Sequence, residues 1–282
     1  MKKIYLEPAQ EGEKQTSSPP ANKVSALPMQ TGKTSRFGHE EVYSPRSSML
    51  GPKDEVVKEM FAQGLHWGHK TSRWNPKIKP YLYGVHRSVH VFDLNKTYEY
   101  FERALLYIRD AASQGKVIML VGTRGPEKEL IRETSKELSL PAVWEGWIGG
   151  TFTNFKEISQ RIHYFNDLEA KELSGELEKY TKRERNEFHK EYLRLAKRWE
   201  GIKNLERLPD VLFATDIREN ALAVKEARLM DIPIVAITDT NTDPTLVNYP
   251  IPANDDAITS VRYIVGKVKE AITHGLTMKQ SS

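Results

Sequence analysis

Apolar positions recur along this chain with two different periods, and the switches between them outline an α/β fold. Val56, Val57, Met60 and Phe61 have helical spacing, and Gly64 ends that helix. The stretch from Leu65 to Lys77 reads as a loop by its glycine and proline content. Tyr81 to Tyr83 and Val89 to Phe92 are short strand-like runs, and Tyr98, Phe101, Leu105 and Ile108 then share one helical face. Lys116 to Val121 reads as a buried strand, apolar without interruption from Val117. Gly122-Thr123-Arg124-Gly125 follows it, with Pro126 suited to the first turn of the next helix. Pro141 to Trp144, Val211 to Ala214 and Ile232 to Ile237 are further strands, the last two separated by a helical run from Ala221 to Met230. Alternating strands and helices of these lengths predict a parallel sheet with helices on both faces. A final helix carries Ile258, Val261, Val265, Val268 and Ile272, and Asp255 is read as opening it.

One stretch breaks the alternation. Between Asn154 and Asn204 there is no strand pattern. Phe155, Ile158, Ile162, Phe165 and Leu168 form one stripe, and Phe188, Tyr192, Leu195, Trp199 and Ile202 form a second, close to a heptad. Ser174-Gly175 lies between them, and Thr181 with Glu184 has the spacing of a capping box. Two antiparallel helices of roughly 30 Å each follow from 1.5 Å per residue. Narrow seams with densely charged outer faces predict a hairpin that projects from the domain. The first 50 residues are rich in Pro, Ser, Lys, Gln and Glu and lack an apolar period, which predicts a disordered tail. The expected organisation is a tail over 1–50, an α/β domain over 51–275 with an insertion over 154–204, and a short tail over 276–282.

Composition narrows the chemistry. Of 282 residues, 39% are hydrophobic and 28% charged, so a core is possible beneath much polar surface. A net charge of +4 permits a polyanionic partner without requiring one. With no cysteine, disulfides, thiolate metal sites and cysteine nucleophiles are excluded. No apolar run reaches the roughly 18 residues of a membrane span. Glu7, Glu11 and Glu13 argue against a transit peptide, leaving a cytoplasmic protein as the expectation.

The loop at 66–79 interleaves two histidines and two tryptophans with Lys70, Arg73, Lys77 and Lys79. Cations neutralise phosphate and aromatic planes stack on unpaired bases, so this pattern points to RNA. The competing reading of its tryptophans is core packing. The glycine turn at 122–125 stands where phosphates bind in doubly wound sheets, which keeps a nucleotide- or phosphate-binding enzyme as the alternative. A tight turn is the simpler reading, because the chain has neither a Walker motif nor a dinucleotide fingerprint. The adjacent acids Asp255 and Asp256 are explained by a helix start, and no nucleophile elbow is present.

Several blocks, in order, resemble the small-subunit ribosomal protein S-two family. They are Gly64-Leu65-His66-Trp67-Gly68-His69-Lys70-Thr71 with Trp74-Asn75-Pro76-Lys77, then Val89-His90-Val91-Phe92-Asp93-Leu94, then Trp147-Ile148-Gly149-Gly150-Thr151-Phe152-Thr153-Asn154. Leu208-Pro209-Asp210, Glu226-Ala227, Asp239-Thr240-Asn241-Thr242-Asp243-Pro244 and Ile251-Pro252-Ala253-Asn254-Asp255-Asp256 complete the series. Gly146 stands where the family often has arginine. The resemblance implies a flavodoxin-like sheet with a coiled-coil hairpin, and a structural, non-enzymatic place in a bacterial-type small subunit, cytoplasmic rather than organellar. Its implied partners are small-subunit rRNA and neighbouring ribosomal proteins, including the large flexible one that captures mRNA in bacteria, with no membrane. The expected RNA contacts are Lys70, Arg73, Trp74, Lys77, Lys79, Arg87 and Arg124. No cofactor is expected to be required, but the resemblance implies a possible structural zinc or magnesium ion on His69, Asp239 and Asp255. The plainer alternative makes Asp239 a turn residue and Asp255 an N-cap.

Overall fold

The computed structural model describes residues 48–280. The tail expected over 1–50 therefore lies almost entirely outside the described residues. Two sheets organise the rest. The larger has five parallel strands in the order β5-β4-β6-β7-β8, with β4 at Ile118–Val121, β5 at Ala142–Val143, β6 at Val211–Ala214, β7 at Ile234–Thr238 and β8 at Tyr249–Pro252. Counting only these strands, the order is 2-1-3-4-5, the doubly wound arrangement of flavodoxin-like sheets. The smaller sheet is antiparallel, in the order β1-β3-β2, from Trp67–Lys70, Val89–Phe92 and Leu82–His86.

Strand alternation divides the core in two. Ile118 and Leu120 of β4, Phe213 of β6 and Val235 and Ile237 of β7 pack on one face with Phe101, Leu105 and Ile108 of α2 (Leu94–Ser113) and Val261, Val265 and Val268 of α7 (Ile258–Gln280). Their neighbours Met119, Val121, Leu212, Ala214, Ile234 and Ala236 face the other way. There they meet Ala223, Val224 and Ala227 of α6 (Ala221–Leu229) and Ile158 and Ile162 of α4 (Phe155–Leu173). The remaining helices are α1 (Lys53–Ala62), α3 (Gly125–Leu138) and α5 (Lys182–Trp199). The five strands are apolar on both sides because both faces are covered.

The elements differ from those expected at β1, β8 and the two ends of the last helix, and β2 runs over Leu82–His86 where the sequence predicts a strand over 81–83. Trp67 to Lys70, within the expected loop, is β1, which a register shift adapts to β3. The strand β8 carries Pro250 and Pro252, residues that lower strand propensity; it lies at the sheet edge, where a missing N–H costs no ladder bond. Asp255 does not open the last helix, which begins at Ile258. That helix runs on to Gln280, so the stretch 276–280 is helical rather than a tail.

In the 154–204 stretch, α4 and α5 are joined through a 3-10 turn at Glu176–Lys179. Thr181 and Glu184 make the expected capping box at the start of α5. Phe165 stacks on Tyr192 with ring centroids 5.8 Å apart, Glu169 accepts from Tyr192 Oη at 3.4 Å, and His189 Nδ1 lies 2.5 Å from Glu172 Oε1. Within α5 only Trp199 is buried.

Candidate nucleic-acid interface and metal-ligating cluster

In an open parallel sheet the residues just past the strand carboxyl ends converge. Here Gly122 to Arg124 follow β4, Thr215 and Asp216 follow β6, Asp239 and Thr240 follow β7, and Ala253 to Asp256 follow β8. The crevice so formed is acidic. Glu127, Asp216, Asp239 and Asp255 are all buried in it. Glu127 accepts a hydrogen bond from Thr215 Oγ1, yet burial pushes its carboxyl up to about 7. Burial, reinforced by Asp239, Asp216 and Asp256, lifts Asp255 far above the usual carboxylate range.

This geometry answers the phosphate reading of the glycine turn. A Cβ on Gly122 would lie 2.7 Å from Ile131 Cγ1 and 2.8 Å from Thr215 Oγ1, so the turn is closed by the chain itself. The N-terminus of α3, where a phosphate would sit, already carries the Glu127 carboxylate. The turn is a packing device.

β1 lies against the end of β7. His69 N–H donates to Thr240 Oγ1 at 2.8 Å, and Asn75 N–H donates to Thr240 O at 2.7 Å. Gly68 is required by that approach, because a Cβ there would meet Thr240 Cγ2 at 2.4 Å. The result is that His69 Nδ1 stands 3.2 Å from Asp239 Oδ1, and its Nε2 stands 3.3 Å from Asp256 Oδ2 and 3.1 Å from Asn241 Nδ2. The hydrogen-bonding contact with Asp239 raises the imidazole pKa; burial opposes this, and the charges of Asp239 and Asp256 add to the rise. Donor atoms of His69, Asp239 and Asp256 all lie within 4.8 Å of one another.

The third residue of the cluster, and its second carboxylate, is thus Asp256, where the sequence points to Asp255. Asn254 decides between the neighbours. Its Oδ1 accepts from the backbone N–H of Asp256 and Ala257, and this turn aims the Asp256 side chain at His69. Asp255 instead points inward, its N–H donating to Asp239 Oδ2 at 3.3 Å and its carboxyl 3.6 Å from Arg124 Nη1.

The seven residues read as RNA contacts separate into three groups. Lys70, Arg73, Lys79 and Arg87 are exposed and, among the described residues, have no carboxylate within ion-pair distance. Lys77 pairs with Asp243 at 2.6 Å but remains 56% exposed. Arg124 is held by Asp255 and Asp256, and Trp74 is half-buried against His90, ring centroids 4.8 Å apart. The crevice neutralises Arg124, and the underside of the small sheet absorbs Trp74.

Sequence reasoning gave Glu226 no role, although its block was among those singled out. The carboxylate is buried, and it accepts from Trp147 Nε1 at 3.2 Å, Gly150 N at 2.8 Å, Phe152 N at 2.9 Å, and Thr153 N and Oγ1 at 3.3 Å. Two blocks distant in sequence are one unit in space.

Comparison with known proteins places these blocks. Residues 60–275 match the family described as Ribosomal protein S2. A small ribosomal subunit protein uS2 of Coprothermobacter proteolyticus is 41% identical over 225 residues, covering 80% of this chain and 84% of the relative. The protein of the same name from Thermus thermophilus is 42% identical over 221 residues, covering 78% of this chain and 86% of its own, and that from Helicobacter acinonychis is 40% identical over 225 residues. With matches of this extent along most of its length, the chain belongs to the ribosomal protein S2 family.

Proposed function

We propose that the protein is a structural component of the small subunit of a bacterial-type ribosome, bound to small-subunit rRNA and to neighbouring ribosomal proteins. The observation that carries this is the family match, whose bacterial relatives are named as small-subunit proteins. The exposed cations Lys70, Arg73 and Arg87 around the small sheet, without a carboxylate partner among the described residues, supply the chemistry for phosphate contact. An acidic crevice in place of a phosphate cradle weighs against the enzyme alternative. In a lysate, the tagged chain should sediment with the small subunit and stay there through a moderate salt wash. The variant Lys70→Gln/Arg73→Gln/Arg87→Gln should rebind stripped small subunits less tightly, with the slope of log affinity against log salt reduced by about one unit per lost phosphate contact. Free sedimentation of the wild type at every salt concentration would reject the reading.

The same reading extends to α4 and α5. It makes them an antiparallel coiled-coil hairpin that reaches from the domain to a neighbouring ribosomal protein, such as the large one that captures mRNA in bacteria. The Phe165–Tyr192 stack and the Glu172–His189 contact support antiparallel pairing, and the mostly exposed surface of α5 leaves room for a partner.

We also propose that His69, Asp239 and Asp256 hold a divalent metal ion. One imidazole and two carboxylates suit zinc better than magnesium, which prefers more oxygens. When bound, the ion would neutralise part of the crevice and tie β1 to the ends of β7 and β8. Zinc added to chelator-stripped protein should raise the melting temperature by roughly 5–10 °C at a hundredfold excess over Kd, and His69→Ala should abolish the rise. An identical melting curve with and without zinc would remove the metal from the description.

A further inference from the structure

We propose that the open face of the small antiparallel sheet is a stacking platform for unpaired nucleotides of small-subunit rRNA. This rests on the ribosomal reading above and gives it a specific surface.

Register defines the face. Trp67 and Gly84 both pair with Val91, while Lys70 and His86 both pair with Val89. Directly opposed residues of antiparallel strands point to the same side. Leu82 pairs with Phe92 and Gly84 with Val91, so Tyr83 is the extra residue of a β-bulge. A bulge re-aims a side chain that strict alternation would send to the opposite face, and here it sets Tyr83 beside Gly84 on the Trp67 side. On the opposite side His90 and Phe92 are buried, while Val85, paired with His90 at the outer end of the strand, is 57% exposed.

What the open face offers is planar and exposed. Tyr83 is 83% exposed and Trp67 41%. Phe61, His66, Trp67 and His86 form a chain of rings, with successive centroids 4.2, 4.7 and 6.1 Å apart. A Cβ on Gly84 would meet nothing within 4 Å, so the platform has an open centre.

The charge around it points to RNA rather than protein. The three strands and the β2–β3 turn contain no acidic residue. Lys70, Arg73 and Arg87 are exposed at the margins, where they can reach phosphates on either side of a stacked base. The turn adds an independent sign. Arg87 and Ser88 both have positive φ, 47° and 64°, in a two-residue connection that usually takes Asn-Gly. Strain at such a position is kept where the side chain it displays is used. Exposed rings, flanking cations and an absence of acids are the pattern of single-stranded RNA recognition, in which splayed bases stack on aromatic planes. Double-stranded RNA keeps its bases stacked internally and would leave the rings idle.

The test uses small subunits stripped of this protein and rebuilt with the full chain carrying Tyr83→Ala, Trp67→Leu or Tyr83→Phe. Tyr83 is so exposed that its removal leaves the fold intact. Tyr83→Ala is expected to weaken rebinding roughly ten-fold with the salt slope unchanged, whereas Tyr83→Phe keeps wild-type affinity. Bases that the wild type shields from base-specific chemical modification should become reactive in the Tyr83→Ala and Trp67→Leu particles. Wild-type affinity and an unchanged protection pattern in both of these would overturn the platform while leaving the ribosomal reading in place. Loss of a cross-link to a neighbouring protein, with base protections intact, would overturn it in favour of a protein contact. Failure of the wild type itself to rebind would overturn the ribosomal reading, and the platform with it.

Discussion

Replacing Glu226 with alanine is expected to destabilise the protein by about 4 kcal/mol, the range seen when one member of a buried charged network is removed. Five hydrogen bonds converge on this one carboxylate, three of them from backbone N–H groups of the 150–153 segment. Truncation leaves these donors inside the protein with no acceptor. Glu226→Gln should cost about half as much, because an amide keeps one acceptor oxygen and turns an NH2 toward donors. Burial alone would raise this carboxyl's pKa, but the donors Phe152, Gly150, Thr153 and Trp147 outweigh it and hold the pKa below its usual value. The linkage sign follows. A depressed folded-state pKa gives stability that is present above about 4.5 and lost as pH falls through the folded value. Urea denaturation at neutral pH, followed by tryptophan fluorescence, measures the effect. An alanine variant within 1 kcal/mol of wild type would show that the 147–153 segment is held by its apolar contacts, such as Trp147 on Phe152.

Glu127→Gln should do the reverse and stabilise the protein, but only at higher pH. Burial raises the Glu127 carboxyl to about 7. The folded state therefore holds the proton more tightly than the unfolded chain. The stability of the protonated form is complete below about 4.5 and is lost as pH rises toward 7. A shift from 4.5 to about 7 corresponds to roughly 3 kcal/mol. Glutamine carries no charge at any pH and can still accept from Thr215 Oγ1. Wild type and variant should be equally stable near pH 4.5, with the variant ahead by roughly 3 kcal/mol at pH 8. Denaturation curves at the two pH values decide it; parallel behaviour would mean that Glu127 ionises at no cost.

Both carboxylates show where sequence reading stops. The central strands were legible because Val117 to Val121, Val211 to Ala214 and Ile234 to Ile237 are apolar on both faces, as a covered parallel sheet demands. The capping box at Thr181 was legible because its residues are three apart. β1 and β8 were not, since Gly68 and two prolines lower strand propensity and only pairing partners elsewhere in the chain offset that. Lys70, Arg73, Lys79 and Arg87 could be read as exposed cations from their polar surroundings. Arg124 could not be seen as neutralised, because Asp255 and Asp256 lie more than a hundred residues away.

The sequence by itself determined the alternation of strand and helix, the two facing stripes of the 154–204 stretch and the blocks that mark the family. Each is a local pattern, decided by which residues recur every two or every three to four positions. Only the tertiary structure decided that Asp256 rather than Asp255 stands beside His69, that Glu226 anchors the 150–153 backbone, and that the β2–β3 ladder shifts register at Tyr83 and leaves its ring exposed. The physical reason is the same in each case. A side chain's orientation at a strand end, a bulge or a turn depends on hydrogen bonds to groups brought there by the fold, and adjacent residues with identical chemistry differ only in which way the backbone aims them.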